Sequence, residues 1–302
     1  MPLRLVEDVP LTGGPTRFDY ASLDASHDTL WLAHMGDGSV VAFDMRANRV
    51  TLTVPLGASA GVRGILAARG AVYAAAQGLS AVIVLDAAGH RVGSVSAGDV
   101  DGLAYDPLTQ RVFVSDEGGE RDVVIDARTN ASLGDVALGG EAGNTQYDPV
   151  SHHIFVGVQT RNELAEIDPA ALKVVRRYPL PGCASAHSVL IDPGERAAYV
   201  GCQRNVRLVR LDLRTGTVVA SGGVGLGVDV LALDPGLHRV YAASESGGVS
   251  IYDIGGGRLT RIAQGFVHLN AHVVAVDPAT HRIYFPLQNV GGRPVLRILE
   301  PR

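Results

Sequence analysis

One feature constrains this chain above all others: a short motif returns about every 43 residues, and few folds accept such a period. Leu103-Ala104-Tyr105-Asp106-Pro107, Gln146-Tyr147-Asp148-Pro149, Leu190-Ile191-Asp192-Pro193, Ala232-Leu233-Asp234-Pro235 and Ala275-Val276-Asp277-Pro278 place their Asp-Pro pairs 42, 44, 42 and 43 residues apart. Asp24 lies 82 residues before Asp106, two further periods. Each copy is followed by an apolar run carrying one aromatic or Ala-rich core: Leu30-Trp31-Leu32, Val72-Tyr73-Ala74, Val112-Phe113-Val114, Ile154-Phe155-Val156, Ala198-Tyr199-Val200, Val240-Tyr241-Ala242 and Ile283-Tyr284-Phe285. A third run ends in an acid, at Asp44, Asp86, Asp126, Asp168, Asp212, Asp253 and Glu300, and a more variable fourth run follows.

Runs this short, rich in Val, Ile and Tyr and bounded by Asp, Pro and Gly, read as strands and turns, with no sustained helical period. Four strands per repeat describe a propeller blade, so the chain reads as all-β, a single domain over 1–302 forming a seven-bladed β-propeller of four-stranded antiparallel blades. The seventh copy ends with its third strand at Leu296-Arg297-Ile298-Leu299, while Leu3-Arg4-Leu5-Val6 precedes the first complete copy. Residues 3–8 are therefore expected to complete blade seven and close the ring. Blade two departs from the pattern, with Ala67-Ala68-Arg69-Gly70 in place of the Asp-Pro turn, which predicts a tighter first hairpin.

The repeat resembles the YVTN-repeat, YncE-like family of seven-bladed propellers, whose second strand carries a Tyr-Val-Thr-Asn-like core after an Asp-Pro turn. Here that core reads Val-Phe-Val-Ser-Asp at 112–116 and Ile-Tyr-Phe-Pro-Leu at 283–287. There is a more distant resemblance to lactonase and gluconolactonase-type propellers. The resemblance covers nearly the whole chain and implies architecture; the activities it implies range over small-molecule chemistries, because the scaffold hosts unrelated functions. In propellers of this kind the first strand of each blade starts beside the axis at the upper, functional face and the second returns to it.

Two rings of residues should thus meet at one rim. Five residues before each Asp-Pro acid stand Asp19, Asp101, Gly143, His187, Asp229 and His272, with Asn144 beside Gly143 and Arg63 or Gly64 in blade two. The ends of the second strands add His34, Gln77, Asp116 with Glu117, Gln159, Cys202 with Gln203, Glu245 and Gln288. Of ten His, those at 27, 152, 153, 238, 281 and 90 fall in turns of the opposite face, leaving His34, His187, His268 and His272 at the upper rim. Imidazole and carboxylate are usual ligands of transition ions, so His187, His272, His34, His268 and Asp229 form a candidate site for a divalent metal ion. Without metal, His187 or His272 beside Asp229 reads as a general base. Asp19, Arg63, Asp101, Asn144 and Gln288 are candidate ligand-binding residues, Arg63 being the one cation expected in the inner ring, free for a substrate anion or paired with Asp101 or Asp19. The blander reading is that the same polar residues solvate a water-filled channel.

The readings that follow are a small-molecule or metal-binding propeller, a metal-dependent hydrolase or lyase of the lactonase type, and a protein-interaction scaffold, for which only 5% aromatic content gives no surface motif. A net charge of −5 without blocks of like charge gives no basic footprint for nucleic acid. The longest charge-free stretch, residues 70–85, is too short to insert in a membrane. The Gly-rich pieces at 139–143, 222–227 and 255–257 open no helix and are not phosphate cradles. Met1-Pro2-Leu3-Arg4 lacks an apolar secretion-signal core, so the expected setting is bacterial, periplasmic if a leader was removed and cytoplasmic otherwise. Cys183 and Cys202 both fall at the upper rim of blade five and admit a disulfide, two free thiols, or metal ligation with His187.

Overall fold

The computed structural model describes residues 1–302, arranged as seven four-stranded antiparallel sheets. Blade one runs Ala21–Asp24, Thr29–His34, Ser39–Asp44 and Arg49–Pro55, and the next five blades follow the same order from inner to outer strand. In blade seven the order is Ala275–Asp277, Arg282–Val290, Arg293–Pro301 and then Leu3–Pro10, so the N-terminal strand closes the last blade as its outer edge. It pairs from Leu3 opposite Pro301 to Pro10 opposite Val295, with one register shift between Leu5 and Glu7. The seven inner strands each neighbour the next, including Ala21–Asp24 beside Ala275–Asp277, which shuts the ring.

Hydrophobic burial explains why the blades stack. The second strands place Trp31, Tyr73, Phe113, Phe155, Tyr199, Tyr241 and Tyr284 at one equivalent position, each at most 5% exposed. Side chains on the two faces of a middle strand point into different seams, and each seam between neighbouring blades holds its own apolar cluster. Outer strands such as Arg49–Pro55 and Thr217–Gly223 instead alternate half-buried and exposed positions, as one solvated face requires.

The Asp-Pro turns act as predicted from their chemistry. Asp106 accepts the backbone N–H of Leu108 at 2.9 Å and of Thr109 at 3.2 Å, and the residue entering the second strand takes a left-handed conformation, as at Gln110, His152, His238 and His281. Those histidines are turn residues of the lower face. Blade two makes the tighter hairpin: only Arg69 (φ +55°) and Gly70 (φ +74°) separate its first two strands, a pair of positive φ values that matches the right-handed twist of a hairpin.

The most deeply buried carboxyl outside the predicted rings and turns is Asp122. Asp122, in the third strand of blade three, is fully buried, and its partner is the Thr145 hydroxyl of blade four, 3.1 Å from Oδ2. Burial without a cation raises its pKa to about 7. The folded state therefore binds a proton that the unfolded chain releases near pH 4, and this contribution to stability is present below that pH and lost as pH rises through about 7. Asp122→Asn should remove the loss, so the gap in melting temperature between variant and parent is expected to widen in the variant's favour from pH 5 to pH 8. Parallel melting curves across that range would show that Asp122 does not titrate there.

Candidate functional site

Each inner strand of blades two to six breaks register just below the upper mouth: between Val62 and Ile65, Val100 and Leu103, Ala142 and Thr145, Ala186 and Ser188, and Val228 and Leu231. Bulges of this kind re-aim side chains that strict alternation would send into a seam. The residues inside them are Arg63, Asp101, Asn144, His187 and Asp229. Asp19 and His272 reach the same level ahead of the short inner strands of blades one and seven. Backbones crowd here: a Cβ on Gly64 would sit 1.8 Å from the Asp101 carbonyl oxygen, and one on Gly143 2.5 Å from that of His187. Glycine lets the inner strands approach this closely.

Asp19, Arg63, Asp101, His187 and Asp229 line a cavity of about 400 Å³ open to the upper face, while Asn144 lines a smaller chamber beneath it and His272 stands behind Asp19 and Asp229. On one wall Asp229 sits between two histidines. His187 Nε2–H donates to its Oδ1 at 3.2 Å, and His272 Nε2 lies 3.7 Å from its Oδ2. His272 Nε2 is also 3.1 Å from Asp19 Oδ1, while its Nδ1–H donates to the Asn270 carbonyl at 2.9 Å. That backbone bond fixes the ring, so Nε2 faces two carboxylates and calls for a cation between them, either a proton or a metal ion. Burial opposes the charged form of His272, yet the Asp19 hydrogen bond and the Asp229 charge outweigh it and raise the pKa. For His187 burial is likewise overcome by Asp229, lifting it to about 9. Asp229 moves the opposite way: burial alone would raise it, and the pairing with His187, His272 and Arg17 lowers it.

Arg17 corrects the expectation of a single inner cation at Arg63. Its guanidinium lies 2.9 Å from Asp19 Oδ1, 2.7 Å from Glu245 Oε1 and 3.8 Å from Asp229 Oδ2. Arg63 pairs with Glu117 at 2.9 Å and Asp99 at 3.3 Å rather than with Asp101 or Asp19. Tyr20, also unforeseen, reaches from blade one across the axis: its hydroxyl donates to Asn144 Oδ1 of blade four and lies 3.5 Å from Asp101 Oδ2. It lines both the mouth cavity and a smaller chamber of about 210 Å³ below, and so forms the floor between them. Burial, followed by the charges of Asp19 and Glu117, holds the Asp101 carboxyl well above the usual range.

The remaining candidates part company. His34 is fully buried beside the cavity, stacked on Phe18 at 4.0 Å and bonded to the Thr16 hydroxyl at 2.9 Å, and burial lowers its pKa. His268 lies on the rim with its Nδ1 3.3 Å from the Leu269 carbonyl. Neither joins the His272 cluster. Gln288 accepts the Asn270 amide at 3.0 Å and thereby steadies the loop whose carbonyl orients His272. Of the rim pair Asp116 and Glu117, the second faces the cavity while the first caps backbone N–H groups of Asp99 and Gly119. Cys183 and Cys202 form a disulfide, which removes them as thiols or metal ligands.

One group of side chains converges tightly enough to share an ion: Asp19, Asp229 and His272 place one ligand atom each within 4.8 Å of one another, and all three are buried. Two carboxylates and an imidazole are a donor set that fits a divalent transition ion.

No family model matches the sequence, and no curated protein matches it. Among solved structures, the chain is similar to one described as Kuenenia stuttgartiensis hydrazine synthase, with a TM-score of 0.79 and 15% identity over 94% of this chain and 96% of that one. At this identity the likeness is one of fold, and it agrees with the ring of blades described above: the chain is a seven-bladed β-propeller.

Proposed function

We propose that this propeller binds a divalent metal ion through Asp19, Asp229 and His272 and presents it to a small-molecule ligand in the upper cavity. The observation that carries the reading is the convergence of these three buried side chains, with His272 already oriented by the Asn270 carbonyl. Without an ion, Arg17 offsets the carboxylates of the same cluster, and a bound ion would take over that role from it. A bound ion would supply Lewis acidity and a more acidic water. The Cys183–Cys202 disulfide, four residues before His187 and one before the cavity residue Gln203, supports an oxidising compartment such as a periplasm. The Asp-Pro and aromatic repeat supports kinship with YVTN-repeat propellers.

In chelator-treated protein, titration with Mn²⁺ or Zn²⁺ is expected to raise the melting temperature, by about 2.7 kcal/mol of stability at a hundredfold excess over Kd. His272→Ala should abolish the rise, and equal stabilisation of both proteins would overturn the reading.

A second reading, hydrolysis or elimination of the lactonase type, is favoured by His187. Its Nε2–H is held by Asp229, its Nδ1 has no partner in the chain, and its pKa of about 9 makes it a proton donor at neutral pH rather than a base. His187 would then protonate a leaving oxygen. If so, His187→Gln lowers turnover of a lactone by about 10²–10⁴-fold and leaves ion-induced stabilisation intact.

A further inference from the structure

The wall opposite the proposed ion is acidic, and the protein answers its charge only in part. Six carboxylates line the mouth cavity against two guanidiniums and the His187 imidazole. Both guanidiniums are spent, Arg17 on Asp19 and Glu245, Arg63 on Glu117 and Asp99. Asp101 and Glu141 are left without an ion pair. Asp101 is 4% exposed, and its side-chain contact is the Tyr20 hydroxyl at 3.5 Å, whose one proton is already given to Asn144. Glu141 has the Gln159 amide at 3.4 Å. His187, 7% exposed, adds an Nδ1 with no partner.

These groups do not gather as metal ligands do, since only Asp19, Asp229 and His272 bring their atoms within 4.8 Å of one another. Carboxylates spread over a wider span suit a cation that carries several N–H donors. Burial makes the ionised form of Asp101 costly until such a partner arrives, because a desolvated carboxylate is stable only when paired.

We infer that the cavity selects a small organic amine, its ammonium group received by Asp101 and Glu141 and a neighbouring oxygen by His187 Nδ1, leaving its far end toward the proposed ion. The inference rests on reading this cavity as a small-molecule site, but its amine pocket and the ion cluster use different residues and can be tested apart. An anionic ligand is disfavoured by the excess of carboxylates, and a neutral polyol would leave the Glu141 charge unmatched and give Asp101 no counter-charge with which to ionise.

The test is calorimetric titration of the full chain, with chelator and again with Mn²⁺, using ethanolamine, ethylene glycol and glycolate as probes. These differ in charge at nearly constant size. Ethanolamine is expected to bind at least about tenfold tighter than either comparator, the value of a charge-assisted hydrogen bond, with Asp101→Asn and Glu141→Gln each removing most of that preference. Glu141 is the less buried of the two, so its variant keeps the test open if Asp101→Asn fails to fold. Equal binding of all three probes, or an unchanged preference in folded Glu141→Gln and Asp101→Asn proteins, would overturn the amine assignment. Amine preference in chelator without any ion effect upholds it while refuting the metal reading; ion binding without amine preference does the reverse.

Discussion

Removing residues 1–10 should lower the melting temperature by on the order of 10 °C and increase self-association. The lost strand packs both seams beside blade seven: Leu3 belongs to the cluster shared with blade six and Val9 to the one shared with blade one. Burying two such side chains contributes about 3–6 kcal/mol. Asp8 also accepts two hydrogen bonds from the Arg297 guanidinium, at 2.8 and 2.6 Å, and those would go too. Against a typical total of about 5–15 kcal/mol the loss is large. The newly bare edge of Arg293–Pro301 offers unpaired backbone groups to another chain. Calorimetry with light scattering checks both effects, and a truncated protein that melts with the parent and stays dispersed would mean that the ring does not depend on this closure.

Gly64→Ala should be as severe for a single methyl group. The added carbon would lie 1.8 Å from the Asp101 carbonyl oxygen and 2.4 Å from Leu103 Cδ1, and the backbone atom cannot rotate out of the way. Relief requires the inner strands of blades two and three to separate, which displaces Asp101. Overpacking of this kind costs about 3 kcal/mol. Gly118→Ala, where the nearest atom is 3.6 Å away, is the matched control in the same region and should melt with the parent. If both variants behave alike, the close approach at the axis is not what Gly64 provides.

The repeat made the architecture legible because the blades write the same physical needs into sequence: in six of the seven an Asp ends the inner strand at the turn, and in all seven a bulky side chain fills the seam. The ring of polar residues was legible for a related reason. The bulges fall a constant five residues before the turn acid, so Asp101, His187 and Asp229 announce themselves as polar positions in apolar strands. Which of them meet was harder to read. His187 and His272 lie two blades apart, and it is the side chain of Asp229, from the blade between, that touches both. His34 shares the rim in sequence but turns away onto Phe18. Arg17 escaped because it belongs to the segment leading into blade one, outside the repeated positions, and Tyr20, at the position that Asn144 holds in blade four, because it acts through a long side chain whose reach no spacing rule records. Asp122 escaped because both faces of a middle strand are buried, so alternation does not distinguish its position from that of a solvated acid.

The central claim is that Asp19, Asp229 and His272 hold an ion, and elemental analysis of untagged protein purified without chelator tests it most directly. After incubation with Mn²⁺ or Zn²⁺ and removal of excess, the parent should carry close to one ion per chain and the Asp229→Asn/His272→Ala double variant none. A folded parent that retains no ion, or a folded double variant that retains as much as the parent, would contradict it.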